Sequence, residues 1–503
     1  MLGGSIMPAN CEVTMIVMNL YGGLTMAGLA DPNTIRSLHK ALESSAVTDE
    51  ATLTGGAAFR VQSLDNLMQN TSFEDDDLQF YPSLKVRPVI GILDQYVVRS
   101  AYGGGYNFAP QGKNPPATSG TYARKVLPIK FALTYRELTH VMTTMDATGG
   151  NVVNAMAAEE KAGALEIGSS LERCCFLGDS AVILEEFDGL ATWIANNGDS
   201  RTIKDMAATK ISSLTTFFEM AGVMGSNAGR LTNIYMDTYS KMDFDLALQN
   251  AMRFGPGDVN AGMVAYGGIP NPLHTSFGSP TIKGNLFLNP EQGFINPEDQ
   301  INTDPYYKAS SSSRGGDASL PAPSAPAVTC VAAGADGNGT NMPTGTYQVT
   351  ASAIRYNGES AADDAVAVVL TAGEHMAWSI ACDDSTVEGF RLFKSAVDGE
   401  ATDMREFARI ARSANPTTYT DTGADIPGTT KAFGVDQRPE IGAVDWDQLL
   451  GLTRLQLAIL APTNPWLQLL YGALRVTKPK RLYMVKNILP TAILDAGWNP
   501  LGV

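Results

Sequence analysis

The chain has 503 residues, of which 44% are hydrophobic and 17% charged, and this composition predicts a folded protein large enough for two or more cores. Its formal net charge of −16 excludes a direct nucleic-acid binder, because such proteins present a basic field or stripe to the phosphates. The four histidines and five cysteines have no metal-ligand or catalytic spacing, so zinc and Ser-His-Asp chemistry are not expected.

The N-terminal segment, residues 1–60, is predicted to be an arm that contains one short helix over residues 32–45. An apolar run at residues 13–30 precedes the first basic residue, Arg36, so the positive region of a signal peptide is missing. The apolar run at residues 455–476 is broken by two prolines. Both runs are therefore interpreted as packed segments, and neither a secreted protein nor a membrane span is expected.

A long β-hairpin is predicted over residues 84–139, in the first part of a core domain that spans residues 61–308. Apolar and polar residues alternate in residues 84–92 and 126–135, as in half-buried strands. The Gly- and Pro-rich segment between them forms the tip. Because a two-stranded ribbon is not stable alone in water, we expect it to lie on another surface, such as another subunit.

The tip contains a near match to a phosphate-binding loop, the sequence GYNFAPQGKN. Six residues separate Gly105 from Gly112, whereas the motif requires four, and Pro115 with Pro116 prevents the helix that should follow. No nucleotide site is predicted here. Lys113 in the same segment is a lone lysine for which no partner residue can be identified, so no covalent chemistry is predicted for it.

A long helix is predicted over residues 151–175, followed by the sequence FLGDSAVILEEFDGL, residues 176–190. Glu185 and Asp188 in this stretch could be the acid–base pair of a hydrolase. No histidine, arginine cluster or metal ligand accompanies the four carboxylates, which are Asp179, Glu185, Glu186 and Asp188. The preferred interpretation is structural: Asp179 and Asp188 accept hydrogen bonds from turn amides, while Phe187 and Leu190 anchor the turn in the core. No catalytic, cofactor-binding or metal residue is therefore predicted.

A mixed α+β region follows the acidic stretch. Residues 210–229 are predicted to form an amphipathic helix with Leu214, Phe217, Phe218 and Ala221 facing inward. Residues 231–237 are predicted to form a short buried strand, and residues 239–254 a second helix. Two extended segments are predicted after it, GMVAYGGIPNPLH and TIKGNLFLNP. This order is not the regular βαβ alternation of a parallel sheet.

Composition changes at residues 309–320, a linker rich in Ser, Gly and Pro, after which residues 321–434 are all-β with the strand spacing of a sandwich. Tyr347 and Trp378 are interpreted as sandwich core, with a carbohydrate-binding platform as the alternative. Residues 435–503 return to the first domain and begin with an apolar segment that is partly helix-like. The β unit is thus predicted to be an insertion.

The order of these elements resembles the major capsid protein of tailed bacteriophages, the Hong Kong 97-like fold. The resemblance covers about residues 60–300 and 435–503. It is carried by the hairpin 84–139, the spine-like helix 151–175, the turn 176–190, the segment 210–237 and the closing segment GALRVTKPKRLYMVKNI. The β unit resembles a fibronectin-type-III or immunoglobulin-like module, through GTYQVTASAIRYNGES and TTYTDTGADIPG.

The resemblance implies an α+β capsid fold with an N-terminal arm, an extended loop, a spine helix, and peripheral and axial domains. It implies a structural protein of the virion, without enzymatic activity, that assembles in the host cytoplasm as hexamers and pentamers of an icosahedral head. The implied partners are other copies, portal and scaffold or decoration proteins, and packaged double-stranded DNA, with no membrane. The alternatives are a hydrolase with a fibronectin-like accessory module and the shell protein of a cellular nanocompartment.

Overall fold

The computed structural model describes most of the chain after residue 73. The described residues are 74–105, 108–114, 117–148, 154–249, 273, 275, 277–288, 308–316, 319–334, 342–459, 461–495 and 497–502. They all lie in one compact unit, residues 69–503. The predicted N-terminal arm, 1–60, and the extended segment GMVAYGGIPNPLH lie outside the described residues, apart from one position of the latter.

Six α-helices occur in the part of the chain that the structure describes. They are α1 His140–Thr148, α2 Ala155–Leu177, α3 Leu190–Asn197, α4 Thr215–Ser226, α5 Thr238–Gln249 and α6 Thr491–Asp495. The long helix α2 corresponds to the predicted helix 151–175. It begins at Ala155 because the side chain of Asn154 accepts a hydrogen bond from the amide of Ala157 and caps the first turn.

A four-stranded sheet packs against α2. Its order is β1-β18-β19-β4, and its strands are β1 Lys85–Pro88, β4 Lys130–Thr139, β18 Val444–Gln456 and β19 Thr463–Val476. Gln468 of β19 donates a hydrogen bond of 2.8 Å to the carbonyl of Glu160 in α2. Thr134 of β4 donates one of 3.0 Å to Glu166 in the same helix. The even-numbered residues of β4 thus face the helix, and the odd-numbered ones face away.

The predicted hairpin is shorter in the structure than in the sequence analysis. Its strands are β2 Leu93–Ala101 and β3 Thr121–Pro128, which form a separate two-stranded sheet. The segments 84–92 and 126–135 do not pair with each other as predicted, because β1 pairs with β18 and β4 pairs with β19. Alternation indicates a strand but does not identify its partner.

A five-stranded sheet forms a second core together with α4 and α5. Its order is β5-β20-β17-β6-β7, with β5 Ile203–Thr209, β6 Asn233–Met236, β7 Thr281–Gly284, β17 Thr430–Val435 and β20 Tyr483–Ile488. Phe217 and Ala221 of α4 are buried in this core, as predicted. The inward position predicted for Phe218 is wrong: its side chain is 44% exposed, since it lies beside the buried stripe.

Two further sheets share a buried core, and we refer to residues 308–421 as the two-sheet segment. One sheet has the order β15-β14-β10-β11-β8 with β12 also on β10, and the other has the order β16-β13-β9. Their strands are β8 Arg314–Gly315, β9 Ala327–Ala333, β10 Gly345–Arg355, β11 Gly358–Glu359, β12 Val366–Leu370, β13 His375–Ala381, β14 Gly389–Lys394, β15 Arg405–Ala411 and β16 Thr417–Asp421. Tyr347 and Trp378 are both 2% exposed in the shared core, where the sequence analysis placed them.

The strand pairing also locates the ends of the two-sheet segment. Strand β8, inside the predicted linker 309–320, pairs with β11. Strand β17, which includes the last predicted residues of the β unit 321–434, pairs with β6 and β20 of the five-stranded sheet. The last strand of the two-sheet segment is therefore β16, which ends at Asp421.

Two local predictions fail around the return to the first core. The partly helix-like segment at the start of 435–503 is the long strand β18. Its register with β19 shifts between Gln448 and Leu450 and again between Leu450 and Thr453, and these irregularities interrupt the period of two. The short helix α3 was not predicted. Its first residue, Leu190, was interpreted as the end of a turn.

Candidate functional site

The acidic turn, which we define as residues 178–189, joins α2 to α3. The amide of Gly178 donates to the carbonyl of Cys174 and ends the long helix, and the amide of Gly189 donates to Gly178 across the turn, both at 2.9 Å. A Cβ atom at Gly178 would lie 2.3 Å from the carbonyl oxygen of Phe187. The close approach of two backbone segments therefore requires glycine at this position.

Three of the four carboxylates hold the turn together. Asp179 accepts a hydrogen bond from the amide of Ala181 at 2.9 Å, and Asp188 accepts from the amide of Ser180 at 3.0 Å and from its hydroxyl at 2.7 Å. Glu186 accepts from the amide of Asp179 at 3.3 Å. Burial raises the pKa of Asp179. The hydrogen bonds of Asp179 and Asp188 agree with the predicted structural interpretation.

The turn is anchored on one side by the core of the four-stranded sheet. Phe187 and Leu190 are buried there, as predicted, and the ring of Phe187 meets that of Trp446 edge to face at 5.4 Å between centroids. Val182 and Ile183 are buried on the other side, against Ile354 of β10. This second contact was not predicted, although four consecutive apolar residues in a turn, 181–184, are a signal for it.

Glu185, the remaining carboxylate, lies beside Glu388 of the two-sheet segment. Burial raises the pKa of Glu388, and the Glu185 carboxylate beside it raises that pKa further. Glu388 also accepts a hydrogen bond of 3.1 Å from the amide of Leu184. The proposed catalytic pair Glu185 and Asp188 is thus divided: Asp188 turns inward to Ser180, and Glu185 faces a carboxyl group from another part of the chain.

The ribbon, which we define as residues 93–128, exposes large apolar side chains. Val97 is 65% exposed, Tyr122 63% and Val126 53%. In the tip, residues 102–120, Phe108 is 96% exposed, and Lys113 is also exposed. The chain turns at Gly112, where φ is +84°, and residues 117–120 lead into β3 without forming a helix. The near match to a phosphate loop therefore lacks the helix N-terminus that holds a phosphate.

A charge network around the buried carboxyl of Asp447 holds the base of the ribbon on the four-stranded sheet. Arg87 lies 2.9 Å from Asp94 of β2 and 3.1 Å from Asp447 of β18, which is fully buried. Arg475 of β19 lies 3.7 Å from Asp94 and stacks 4.3 Å from the ring centroid of Tyr96. Burial raises the pKa of Asp447 to about 6, although the arginines oppose this shift. The network was not predicted, because its members are far apart in sequence.

The outer face of the four-stranded sheet is apolar and exposed. Phe131, Leu133 and Tyr135 of β4 are each about half exposed, as is Leu455 of β18. The ring of Phe131 contacts that of Tyr471 of β19 edge to face at 4.7 Å. Contiguous apolar surface of this kind marks an interaction site more often than a solvated face.

The other acidic, histidine and cysteine residues that could form a site are dispersed over the described part of the chain. Glu74–Asp77 form an exposed turn, in which Asp77 accepts from the amide of Glu74. His140 is exposed and His375 buried, and His39 and His274 lie outside the described residues, as does Cys11. Burial raises the pKa of the Cys174 and Cys175 thiols. Within the described ranges, no group of three or more His, Cys, Asp or Glu side chains could hold a metal ion.

The described helices include none that is long and apolar enough to cross a membrane. No model of a known protein family matches the chain, and no curated protein matches it.

Several solved structures from phages and related particles are similar to the chain. A chain from Mycobacterium phage Adephagia is 8% identical, with a TM-score of 0.42 over 88% of this chain and 98% of that chain. The capsid of a native GTA particle gives 9% identity and a TM-score of 0.44, over 88% of this chain and 99% of that chain. The capsid of cyanophage P-SCSP1u gives 10% and 0.41, over 87% and 96%. Because these identities are 10% or lower and the TM-scores are below 0.5, the function is inferred from the contacts and exposed surfaces of this chain.

Proposed function

We propose that the chain is the major capsid protein of a tailed bacteriophage, which assembles as hexamers and pentamers into an icosahedral head around packaged double-stranded DNA. The ribbon is the observation that carries this proposal. It pairs with no other sheet among the described residues and exposes Val97, Tyr122 and Val126. Since a two-stranded ribbon is marginally stable in water, its apolar surface is best explained as a contact with a neighbouring copy.

The outer face of the four-stranded sheet supports the same assignment. Phe131, Leu133 and Tyr135 present a second apolar surface on the same chain. A closed symmetric shell repeats each such contact many times, so that contacts of modest strength give a stable assembly. The chain thus offers both an arm and a surface for self-association.

The net charge of −16 agrees with a container that does not condense DNA by contact. The shell would enclose DNA without sequence-specific binding, and filling it would require a portal, with scaffold or decoration proteins as further partners. The protein would assemble in the host cytoplasm and be a component of the virion.

The two-sheet segment would be an inserted immunoglobulin-like module on the outer surface of the head. Its own buried core contains Tyr347 and Trp378, so it does not depend on neighbouring copies for a core. Asp364 and Asp383 are exposed on its loops, and an inward position would set these charges against densely packed DNA. In this position the two-sheet segment would provide weak adhesion to other surfaces, and the many copies on one head would make the total binding strong.

Negative-stain electron microscopy of the purified full chain tests the proposal. Closed particles of uniform diameter are expected, with light scattering giving a mass far above that of one chain. A chain that stays monomeric at high concentration would contradict it. Particles that fill only with a protein cargo would indicate a nanocompartment shell instead.

The hydrolase alternative has a separate test. A screen of glycoside, ester and peptide substrates should show no turnover that depends on Glu185 and Asp188, because Asp188 is engaged by Ser180. The double variant Glu185→Gln with Asp188→Asn is compared with Glu74→Gln and Asp76→Asn in the exposed acidic run. Turnover lost only in the first variant would favour the hydrolase.

A further inference from the structure

An ion pair between Lys394 and Asp421 lies in the core of the two-sheet segment. Nζ of Lys394 is 2.6 Å from Oδ2 of Asp421, and the two side chains are only 4% and 2% exposed. Lys394 is the last residue of β14 and Asp421 the last residue of β16. These strands belong to different sheets, so the pair bridges the two layers of the segment.

The surroundings of this pair are largely aromatic. The ring centroid of Phe407 lies 4.4 Å from Nζ of the lysine. Phe407 in turn contacts Trp378 and Tyr419, at 5.8 and 6.4 Å between ring centroids. Burial and the nearby Asp421 carboxylate raise the pKa of the Cys330 thiol to about 12. The two charges are thus held in a site of low dielectric, away from water.

The ion pair has few hydrogen bonds to compensate for its burial. An ammonium group can donate several hydrogen bonds, whereas those of Lys394 within the described residues end at Oδ2 of Asp421. Two ions that leave water need such additional partners before their attraction outweighs the loss of hydration. A reaction that removed both charges would therefore be favoured by this environment.

The two oxygens of the Asp421 carboxyl have different partners. Oδ2 faces the lysine nitrogen, and Oδ1 accepts a hydrogen bond of 2.9 Å from the amide of Gly423. A backbone amide placed on one oxygen stabilises the negative charge that develops there when a nucleophile attacks the carbon atom. The geometry therefore places Lys394 as a nucleophile beside Asp421 as an electrophile.

We propose that Lys394 and Asp421 are a site of covalent modification, at which an intrachain amide bond between Nζ and Cγ joins the two sheets. A proton first passes from the ammonium group to Oδ2, which leaves a neutral amine and a neutral acid. Nζ then attacks Cγ, and Oδ1 takes up the negative charge beside the amide of Gly423. The bond from Cγ to Oδ2 breaks as Oδ1 re-forms its double bond, and Oδ2 leaves as water with its own proton and one from Nζ.

This condensation needs no oxidant, cofactor or second substrate, because one amine and one carboxylic acid give one amide and one water. The fold supplies what is missing in solution, since it holds the reacting groups together and excludes the water that would favour the reverse reaction. Lys308 and Asp403 form a pair of the same residue types at 2.9 Å, with side chains that are 30% and 40% exposed. Water reaches that pair, so no amide is expected there.

The amide would change the stability of the two-sheet segment. A covalent link between distant residues restricts the unfolded chain, as a disulfide does, and so favours the folded state. It would close the chain between residues 394 and 421 and hold β14 and β16 together when the segment is heated or pulled. The segment would gain this without an oxidising environment.

Peptide mapping of the purified full chain by mass spectrometry tests the modification. Trypsin cannot cleave after a lysine whose amine is acylated, so the modified chain should yield residues 392–405 joined to residues 413–431. The mass of this product should be lower by one water than the sum of the two peptides. Fragmentation should place the bond at Lys394 and Asp421, while the peptide that ends at Lys308 should be recovered unlinked.

Two variants identify the reacting groups. Lys394→Arg keeps a cation in the pair, but its guanidinium is a poor nucleophile, and Asp421→Ala removes the electrophile. Both should lose the joined peptide completely, and Lys394→Arg should also unfold at a lower temperature than the wild type. Lys308→Arg is the matched control and should retain the joined peptide. Asp421→Asn is not suitable, because its side chain could give the same amide by releasing ammonia.

The wild-type chain by itself can overturn the proposal, whether or not the variants fold. Recovery of residues 392–394 and 413–431 as separate peptides, in full yield after prolonged incubation of the folded chain, would show that the pair remains ionic. A bond from Lys394 to a different carboxyl would overturn the role of Asp421. Neither result depends on particle assembly, so both leave the proposed function to its own test.

Discussion

Arg409 of β15 donates a hydrogen bond to the carbonyl of Leu177, the last residue of the long helix α2. Its guanidinium also lies 3.5 Å from Glu186 in the acidic turn. A cation at the C-terminal end of a helix interacts favourably with the negative end of the helix dipole. Arg409 reaches this helix end from a strand of the two-sheet segment. The helix end, the turn and the two-sheet segment are thus joined by one side chain.

Replacing this side chain should weaken all three parts at once. Arg409→Ala is expected to lower the free energy of unfolding by about 2 kcal/mol. The variant leaves Glu186 and the Leu177 carbonyl without the guanidinium, whose side chain is only 14% exposed. Urea unfolding of the unassembled subunit measures the change. Arg201→Ala, whose side chain is 63% exposed, is the control and should change it by less than about 0.5 kcal/mol. Equal effects would show that Arg409 does not join these parts.

The glycine at the end of α2 gives a second stability test. Gly178→Ala should destabilise the subunit by about 2 kcal/mol or more, because the new methyl group would meet the backbone oxygens of Phe187 and Cys174. Gly222→Ala in α4 is the matched control, since no atom from outside its own stretch of helix backbone lies within 4 Å of its added Cβ. That control should stabilise the subunit by about 0.5–1 kcal/mol, as alanine does inside a helix. An unchanged free energy of unfolding in Gly178→Ala would mean that the turn can accommodate the methyl group by a small backbone shift.

The base of the ribbon should respond to pH through Asp447. Its pKa rises from the ordinary 3.8 to about 6 in the folded state, so folding favours the protonated carboxyl. The contribution of Asp447 to the free energy of unfolding is therefore fully present below pH 4 and is lost as the pH rises to 6. Above pH 6 the protein is about 3 kcal/mol less stable than it would be if the carboxyl stayed protonated. Unfolding of the wild type and of Asp447→Asn is compared at several pH values.

The difference between the two proteins isolates this group from the other carboxyls. Relative to the wild type, Asp447→Asn should gain stability between pH 4 and pH 6 and then keep a constant difference. Asp76→Asn, in the exposed acidic run, should follow the wild type throughout. A difference that does not vary with pH would show that Asp447 is already ionised at pH 4.

The sequence predicted elements that depend on local signals. The helix α2 and the strand β6 were found because a periodic apolar face and a short buried run are visible in a few consecutive residues. The hydrogen bonds of Asp179 and Asp188 were predictable for the same reason, since both bind amides within the same turn.

Contacts between distant residues were not predictable in this way. Nothing in the sequence near Glu185 indicates that Glu388 lies beside it, and Arg87 gives no sign of Asp447. The partners of β1 and β4 were missed because alternation specifies a face and leaves the neighbouring strand open.

Removing the tip of the ribbon tests its part in assembly. Replacing Tyr102–Gly120 by a short turn should leave a soluble, folded subunit, because the tip contributes no described residue to a buried core. Shells should fail to close, since the apolar tip residues Tyr102 and Phe108 no longer reach a neighbour. Electron microscopy and circular dichroism measure the two properties. The milder variant Phe108→Ser tests the apolar contact alone, and particles of normal size from both variants would exclude the tip from assembly.

Excision of the two-sheet segment should depend on where the cut is made. Removing residues 321–434 also removes β17, which pairs with β6 and β20 in the middle of the five-stranded sheet. Because Phe433 and its neighbours are buried there, this variant should be insoluble. Removing residues 319–422 with a Gly/Ser bridge retains β17 and should give a folded subunit.

The shorter excision is the informative variant for assembly. It removes Arg409 and Glu388, so the subunit should lose about 2 kcal/mol of stability at the acidic turn, as Arg409→Ala does. Particles without surface projections in electron micrographs would support an outward position for the segment. If the shorter variant were insoluble like the longer one, the two-sheet segment would be part of the core fold and not an inserted module.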